Sequence, residues 1–253
     1  MAGGGVNLKQ RIRSGELLAA TWVKTPHPAV VEVLGKTPLD LIVLDAEHAP
    51  WDRSALDVAL LVARAVGMPT LVRPPSAAAA HVLNALDLGA DGVIVPHICS
   101  VAEAEAAVRH SQYGPGGRGY AGSTRAAGYG SLGMAEHRRN ARDVVIIAQI
   151  EDAEALDAVE DIARVDGLDA LFIGRADLTL SLRAETSDDP QVIAAVERIC
   201  AAGKAAGRAV GMFLARVADV PEWRAKGASL FILQSDQDFV RSGAAALAKA
   251  IKG

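Results

Sequence analysis

Cysteines, aromatic residues and clusters of positive charge are all scarce in this sequence. The two cysteines, Cys99 and Cys200, lie far apart and outside any C-x-x-C pattern, which argues against a disulfide framework and a structural zinc site. The formal net charge is −4 and no Lys/Arg-rich run occurs, so the chain lacks the electrostatic footprint of a protein that binds nucleic acid or anionic membranes. We therefore expect small molecules as its partners and reduced, buried thiols.

Long uninterrupted apolar runs are also missing. The apolar stretch from Val58 to Met68 is interrupted by Arg64, and residues Met1 to Gly5 lack the charged and then apolar pattern of a secretory signal. We expect a soluble, cytoplasmic protein with no membrane partner.

Apolar residues make up 51% of the chain, whereas aromatic residues make up 4%, a composition that suits strands packed under Ala-rich helices. Short apolar runs alternate with longer amphipathic segments, and the runs predict eight strands. They are Leu17–Thr21, Leu39–Leu44, Thr70–Val72, Gly92–Val95, Val144–Ile150, Ala170–Ile173, Ala209–Met212 and Leu230–Leu233.

The segments between these strands predict helices, several of them stopped by a glycine. Alternation of strand and helix implies right-handed parallel crossovers, and eight strands favour an α/β fold of the (β/α)₈ TIM-barrel type over an open sheet. No linker divides the chain, so we expect one domain over residues 1–253. The helical patterns are Ser54–Val66, Ala77–Leu88, Val101–His110, Ala153–Val165, Pro190–Ala206 and Val217–Lys226.

The stretch L-I-V-L-D-A-E-H-A-P-W-D, residues 41–52, ends a buried strand in three ionisable groups, Asp45, Glu47 and His48. Such groups at the end of a buried strand are costly unless they are paired or used, although a solvated capping loop would show the same pattern. Asp52 is a candidate N-cap for the helix that begins near Ser54.

Candidate functional residues also follow the other predicted strands, and in a barrel the ends of the strands converge on one mouth. Considered singly, each of these side chains is equally consistent with a solvated loop residue. The residues at successive strand ends are Trp22, Lys24, Arg73, Pro96, His97, Gln149, Glu151, Gly174, Arg175, Asp177, Phe213, Gln234 and Asp236.

Glu151 and Asp177 are the most informative of these residues. They lie about one βα repeat apart, so neighbouring strands would place their carboxylates side by side, where they must share a proton or hold a cation. Oxygen ligands with few protein groups suit Mg²⁺ or Mn²⁺ better than zinc. Asp177 would otherwise serve as a helix N-cap.

At these residues the sequence resembles the HpcH/HpaI family of metal-dependent, class II pyruvate aldolases. The motifs are L-D-A-E-H-A-P, L-V-R-P, Q-x-E at Gln149 to Glu151, and F-I-G-R-A-D-L-T, and the likeness runs from about Trp22 to Asp236. The resemblance implies a (β/α)₈ barrel assembled as a hexamer, a dimer of trimers, with a divalent metal such as Mg²⁺, Mn²⁺ or Co²⁺.

The resemblance also implies roles for individual residues. Glu151 and Asp177 match the metal ligands, Arg73 the arginine that stabilises the enolate, and His48 with Asp45 the acid/base dyad. Asp87 matches an acidic residue contributed near that dyad across a subunit interface. The substrate pocket would include Trp22, Gln149, Gly174, Arg175, Ala176 and Asp177.

Two departures from the family pattern affect the expected pocket. Arg175 stands where the family more often has proline, and Gln234-Ser235-Asp236 replaces G-V-D near the last strand. An additional cation at Arg175 would favour an acidic acceptor, or would pair with Glu47 or Asp177.

The remaining motifs give weaker evidence about function. The G-x-G-x-x-G of residues 114–119 follows a helical pattern and not a strand, which excludes a dinucleotide site; the glycine-rich segment 113–133 is expected over the barrel mouth or at a subunit contact. The position of His97 at a strand end is consistent either with a role in the site or with no functional role. Lys24 near a strand end leaves a Schiff-base aldolase as an alternative.

The sequence thus predicts an aldolase that forms or cleaves 4-hydroxy-2-oxo acids, with a 2-keto acid such as pyruvate and an aldehyde as its small-molecule partners. An acyl-CoA lyase of the citrate-lyase-beta or malyl-CoA type is an alternative, but it needs a basic surface for the CoA arm, for which we find Arg118 and Arg125 alone. A non-catalytic ligand-binding barrel is the third reading.

Overall fold

The computed structural model describes residues 7–253, so the expectation drawn from Met1 to Gly5 lies outside the described part. Eight parallel strands form a closed barrel in sequence order, the first strand pairing with both the second and the eighth. The predicted TIM-barrel fold is confirmed, and every predicted strand is present. The strands are β1 Leu18–Val23, β2 Leu41–Asp45, β3 Thr70–Arg73, β4 Gly92–Val95, β5 Val145–Ile150, β6 Ala170–Ile173, β7 Ala209–Leu214 and β8 Ala228–Ser235.

The strands are apolar on both faces because the barrel has two cores. Successive side chains along a strand point to opposite faces, so one set fills the barrel interior and the other packs under the helices. Val43, Ile94 and Phe172 belong to the inner cluster, whereas Leu44, Val95 and Ile173 belong to the outer one. This arrangement explains why the strands read as continuous apolar runs and do not alternate.

The predicted helices are present, although two of them begin with a 3₁₀ segment, Ala153–Ala158 and Val217–Asp219. Five further helices were not predicted, and four of them have only six or seven residues, too few to show a clear period. They are Leu8–Arg13, Pro28–Leu34, Met134–Asn140, Arg175–Ser181 and the longer Asp236–Lys252. The helices are α1 Leu8–Arg13, α2 Pro28–Leu34, α3 Arg53–Val66, α4 Ala79–Asp87, α5 Val101–Ser111, α6 Met134–Asn140, α7 Val159–Arg164, α8 Arg175–Ser181, α9 Pro190–Ala205, α10 Val220–Ala225 and α11 Asp236–Lys252.

Several helix ends follow capping signals in the local sequence. Asp52 is the N-cap of α3 and its side chain accepts a hydrogen bond from the backbone N–H of Ala55 at 2.7 Å, as predicted. Gly89, Gly167 and Gly227, predicted stops, adopt φ values of +92°, +98° and +106°, which L side chains rarely adopt.

The glycine-rich segment, residues 113–133, lies at the base of the barrel, where the strands begin. There it borders a cavity of about 650 Å³ together with the start of β3 and the residue before β5. Of its two expected locations, the barrel mouth is wrong, whereas a subunit contact stays a prediction. Its long side chains Arg118 and Arg125 bond Asp87 on α4 and Asp57 on α3, and these bonds hold the segment at the base.

Within residues 7–253, no helix combines the length and the apolar character needed to cross a bilayer.

Candidate active site

A cavity of about 200 Å³ opens at the mouth of the barrel, where the strands end. The carboxyl ends of the strands form the functional face of (β/α)₈ barrels, which makes this cavity the candidate active site. Lys24 and Ser235 contribute to its wall. The predicted site residues that line it are Trp22, His48, Arg73, Gln149, Gly174, Arg175, Ala176 and Asp177.

Asp45 and Arg73 lie opposite each other in the register of β2 and β3. Arg73 donates to Asp45 Oδ1 from Nε at 3.0 Å and from Nη2 at 2.8 Å, and Asp45 is fully buried. Arg73 Nε also lies 3.2 Å from Glu47 Oε2, and its guanidinium sits 4.2 Å above the ring of Trp22. These contacts fix a buried cation at the floor of the mouth.

His48 projects into the mouth from the loop after β2, with 52% of its side chain exposed. Its backbone N–H donates to Asp45 Oδ1 at 3.1 Å, whereas its ring Nε2 lies 3.7 Å from Glu47 Oε2. Asp45, the expected dyad partner of His48, therefore holds the main chain of His48, and Glu47 is the carboxylate beside the imidazole.

Glu151 follows β5 and is buried. Its carboxylate accepts a hydrogen bond from the Gln149 amide, and its Oε1 accepts one from the backbone N–H of His97 at 3.0 Å. Burial raises the pKa of Glu151, and these hydrogen bonds only partly oppose that effect. A positive charge nearby would therefore stabilise the ionised form of the Glu151 carboxylate.

Gly174 allows the backbone after β6 to approach Glu151. A Cβ on Gly174 would lie 2.8 Å from Glu151 Cβ and still closer to Glu151 Oε2, so no other residue fits here without displacing that side chain. Gly174 is also the N-cap of α8, and Asp177 lies in the first turn of that helix. The alternative reading of Asp177 as an N-cap is wrong. Asp177 is half-buried at the cavity wall.

Glu151 also belongs to a second group of atoms that could hold a metal ion. One atom each from Glu47, His97 and Glu151 all lie within 4.8 Å of one another. His97 Nε2 is 3.4 Å from Glu47 Oε1, and its Nδ1 is 2.9 Å from Asp152 Oδ2. The sequence marked Glu47 and His97 by their positions after strands, but it did not predict that they meet.

Burial and neighbouring charges shift the pKa values of Glu47 and His97. Burial raises the pKa of Glu47, and the charges of Arg73, His48 and His97 only partly oppose that effect. Burial on its own would lower the pKa of His97, but the hydrogen bond to Asp152 and the nearby acidic charges outweigh it and raise that pKa. His97 adopts φ 54°, a strained value for a residue with a side chain, and such strain is often found at functional sites.

Arg175 lines the cavity but its charge is directed away from the acidic residues of the mouth. Its Nη2 donates to the backbone carbonyl of Ser187 at 2.6 Å and lies 3.7 Å from Asp188, and its guanidinium sits 5.0 Å from the Trp223 ring. Burial lowers the pKa of Arg175. The expectation that it pairs with Glu47 or Asp177 is wrong.

Asp87 lies at the end of α4, at the base of the barrel and away from the mouth of its own chain. It accepts hydrogen bonds from Arg118, whose Nε lies at 3.0 Å. Both side chains are buried. Within one chain, therefore, Asp87 does not join His48 and Asp45.

The segment after β8 supports the mouth. Asp236 begins α11 and accepts hydrogen bonds from the backbone N–H groups of Lys24 at 2.6 Å and Thr25 at 3.2 Å. The sequence marked Gln234-Ser235-Asp236 as a departure from the family's G-V-D, and in the structure Asp236, the residue shared with that motif, anchors the loop after β1. Gln234 precedes it at φ 57°.

Comparison with known proteins identifies relatives of this chain. A hydroxypyruvate/pyruvate aldolase of Paraburkholderia phytofirmans is 37% identical over 90% of this chain and 91% of its own. A 4-hydroxy-2-oxovalerate aldolase of Novosphingobium aromaticivorans is 35% identical over 79% of each chain. The crystal structure of an HpcH/HpaI aldolase/citrate lyase family protein from Burkholderia cenocepacia superposes with a TM-score of 0.92 at 33% identity, covering 97% of this chain and 99% of the other.

The sequence model of one family matches residues 18–242, which include every strand and every predicted residue of the mouth. Together with the relatives at 30% identity or more, this match identifies the chain as a member of the HpcH/HpaI aldolase/citrate lyase family.

Proposed function

We propose that this protein is a metal-dependent pyruvate aldolase, a carbon–carbon lyase that forms or cleaves 4-hydroxy-2-oxo acids. The observation that carries the proposal is the buried arginine Arg73, held by Asp45, in the same mouth as the buried carboxylate Glu151. An aldol reaction next to a keto group develops negative charge, and this mouth combines a fixed cation with carboxylates able to hold another. Relatives named as aldolases of pyruvate and of 4-hydroxy-2-oxovalerate support the same chemistry.

Glu151 and Asp177 would hold the divalent metal, Mg²⁺, Mn²⁺ or Co²⁺. The residues fit such an ion because Glu151 is buried and no Lys or Arg of residues 7–253 forms an ion pair with it, although His97 Nδ1 lies 3.5 Å from its Oε1. Gly174 also leaves no atoms where a Cβ would crowd the carboxylate. Buried Gln149 Oε1 and Glu47 Oε2 also lack hydrogen-bond donors in the described chain. When bound, the metal supplies a Lewis acid that stabilises the enolate of the keto acid.

Arg73 supplies the positive charge that the chain itself contributes. Its guanidinium is fixed by Asp45, Glu47 and the face of Trp22, so its position does not have to be reorganised when charge develops on the substrate. Arg73 lines the cavity and its Nη1 makes no hydrogen bond within residues 7–253, so N–H donors remain for a substrate oxygen.

His48 would move the proton on the aldehyde oxygen. Histidine is the commonest general acid–base residue in enzymes, and this one is exposed to the cavity beside the Glu47 carboxylate. Asp45 contributes by holding the backbone of His48 and the guanidinium of Arg73 in one position. We propose that Trp22, Gln149, Gly174, Arg175 and Ala176 shape the substrate pocket around these groups.

We further propose that the protein acts as one domain over residues 1–253 and as a homo-oligomer, a hexamer built as a dimer of trimers. Every residue of α11 from Phe239 onward is exposed, including Val240, Leu247 and Ile251 on one side of the helix. A contiguous apolar stripe in water is typical of a contact between proteins. In such an assembly Asp87 would reach the mouth of a neighbouring subunit, and light scattering of the purified protein measures the oligomeric state. The free thiols Cys99 and Cys200 support a reducing, cytoplasmic location.

The alternatives fit the geometry less well. An acyl-CoA lyase needs basic groups for the CoA arm, but Arg118 and Arg125 are buried in ion pairs with Asp87 and Asp57 at the base of the barrel. A Schiff-base lysine is usually activated by a hydrophobic pocket or a second cation, whereas Lys24 Nζ lies 3.4 Å from the Asp45 carboxylate.

The deciding experiment follows solvent deuterium exchange into pyruvate by NMR, with either EDTA or borohydride added. We expect EDTA to abolish exchange, Mg²⁺, Mn²⁺ or Co²⁺ to restore it, and borohydride to have no effect, because this route forms no imine. A Schiff-base aldolase would show the reverse pattern. A non-catalytic barrel would show no exchange under any condition, and exchange that survives EDTA would refute the metal mechanism.

A further inference from the structure

Three aspartates at the base of the barrel occupy equivalent positions. Asp40, Asp91 and Asp169 directly precede β2, β4 and β6. The side chain of each accepts a hydrogen bond from a backbone N–H at the start of the preceding strand, and its own N–H donates to the carbonyl of the same residue. The bonded residues are Ala19 for Asp40, Thr70 for Asp91 and Ile146 for Asp169, at side-chain distances of 2.9, 2.7 and 2.8 Å. The three aspartates form an internal repeat, so their surroundings can be compared directly.

Helix α1 supplies a positive charge to two of these aspartates. Arg11 Nη2 lies 2.5 Å from Asp40 Oδ1. Arg13 Nε lies 2.5 Å from Asp169 Oδ1. Asp91, in contrast, forms no ion pair within residues 7–253. The repeat therefore leaves one carboxylate without the cation that its two counterparts hold.

The Asp91 carboxylate would be stabilised by a cation. Surrounding protein atoms raise the pKa of Asp91, and the hydrogen bond from Thr70 and the charge of Arg64 only partly oppose that effect. Arg64 and Asp143 form no ion pair within the described chain either, and both line the same cavity as Asp91. This is the base cavity, the cavity of about 650 Å³ beside the glycine-rich segment. Its wall thus carries charges of both signs that no described side chain neutralises.

The base cavity has the size and the lining of a small-molecule site. It is larger than the mouth cavity of about 200 Å³ and falls in the range of about 300–1,000 Å³ that is typical of ligand pockets. Leu60, Leu86 and Leu132 supply apolar parts of its wall. Two polar atoms of other lining residues, Arg125 Nε and His137 Nδ1, are buried and lack a hydrogen-bond partner within residues 7–253. An apolar wall with a few unsatisfied polar groups favours an organic ligand that is itself partly polar.

We propose that the base cavity binds a small zwitterion, an α-amino acid with an apolar side chain. Its ammonium group would pair with Asp91 and so complete the pattern that Arg11 and Arg13 set at the other two aspartates. Its carboxylate would pair with Arg64, and its side chain would lie against the leucines of the wall. This inference does not depend on the proposed aldolase function, because the cavity lies at the base of the barrel and that chemistry is assigned to the mouth.

Isothermal titration calorimetry of the purified protein with L-leucine, L-methionine and L-phenylalanine tests the proposal. We expect at least one of them to bind, and to bind equally well when EDTA is added, because the base cavity contains no proposed metal ligand. The tightest binder is then compared with its analogues that lack the ammonium or the carboxylate, for phenylalanine 3-phenylpropionate and 2-phenylethylamine. Each analogue should bind about 10- to 100-fold more weakly, since a hydrogen bond between charged groups is lost.

Two variants place the amino acid in the cavity. Asp91→Asn should weaken binding by about 10- to 100-fold, because the amide keeps an oxygen for the Thr70 N–H but loses the negative charge. Arg64→Gln should have a similar effect through the carboxylate. Glu105→Gln on α5 and Arg224→Gln on α10 make the matching changes at exposed residues outside the cavity and should leave the affinity unchanged.

Three results would overturn the inference. The first is that none of the three amino acids binds, as expected if a neighbouring subunit covers the cavity. The second is that EDTA abolishes binding, because the amino acid would then chelate a metal at the mouth. The third is that the analogue without the ammonium group binds as tightly as the amino acid. Arg64 is exposed, so Arg64→Gln tests the site even if Asp91→Asn does not fold, and an unchanged affinity in that variant counts against the proposal in the same way.

Discussion

Arg73 donates two hydrogen bonds to a single oxygen of Asp45, from Nε at 3.0 Å and from Nη2 at 2.8 Å. Two donors converge on one acceptor because the register of β2 and β3 places these residues directly opposite each other. The Nε of Arg73 also lies 3.2 Å from Glu47, so the planar fork is held from two sides. The position of the charge is therefore determined by the barrel and not by the substrate.

Arg73→Lys should reduce aldol cleavage by about 100-fold or more, although the charge is kept. Lysine carries a point charge on a flexible stem and cannot contact Asp45, Glu47 and a substrate oxygen in one plane, and the loss of one fixed donor to a developing charge typically costs about 10²- to 10³-fold. Steady-state cleavage of 4-hydroxy-2-oxovalerate measures the effect. Arg198→Lys, at an exposed pair with Glu160, is the matched control, and wild-type turnover in Arg73→Lys would remove Arg73 from the mechanism.

His48→Ala should impair aldol cleavage much more than pyruvate enolisation. The imidazole contacts no proposed metal ligand and is proposed to act on the aldehyde oxygen alone, a role worth about 10²- to 10⁴-fold. Cleavage assays and deuterium exchange on the same preparation separate the two steps. His81→Ala, which removes a bond to Ser76 outside the mouth, serves as control. Equal losses in both steps would contradict the assignment.

Gly174→Ala should inactivate the protein without unfolding it. The added methyl group would press against the side chain of Glu151, and a displacement of about 1 Å in a site costs about 100-fold in rate. Circular dichroism and cleavage assays test the two halves of the prediction. Gly114→Ala is the control because its Cβ would meet nothing within 4 Å. Full activity in Gly174→Ala would show that Glu151 is free to move or is not needed.

The metal ligands can be distinguished by direct Mn²⁺ binding, followed by electron paramagnetic resonance. Glu151→Gln and Asp177→Asn should each weaken binding by about 100-fold, since loss of an outer partner alone costs about 10- to 100-fold. The atoms of Glu47, His97 and Glu151 form a competing ligand set. If that set holds the ion, His97→Asn will weaken binding strongly and Asp177→Asn will not.

Neither cysteine should react rapidly with thiol reagents in the folded protein. Burial and the negative charge of Asp152 raise the pKa of Cys99 to about 12, and burial raises the pKa of Cys200 to about 11. A raised pKa leaves less thiolate at a given pH, so at pH 8 both thiols should react at least about 100-fold more slowly than a free cysteine with pKa near 8.5. Labelling in buffer and in guanidinium chloride tests this. Rapid labelling in buffer would indicate an accessible thiolate.

The barrel could be predicted because its signals are local. Each strand is a short apolar run such as Val145–Ile150, and a long helix such as α3 begins and ends with residues of known capping preference, Asp52 and Gly67. Once eight such units are counted, closure follows from the topology, and the strand ends must meet at one mouth. The gathering of Asp45, Arg73 and Glu151 there needed no knowledge of side-chain packing.

The sequence by itself thus determined the fold, the family motifs and the set of residues at the mouth. The tertiary structure alone decided where the side chains point. Arg175 turns to Ser187 and Trp223, Asp87 pairs with Arg118 at the base, and His97 meets Glu47. Sequence position places a Cα on an element, but the direction of a long or charged side chain depends on acceptors supplied by distant segments. Those acceptors become neighbours only after the barrel has closed.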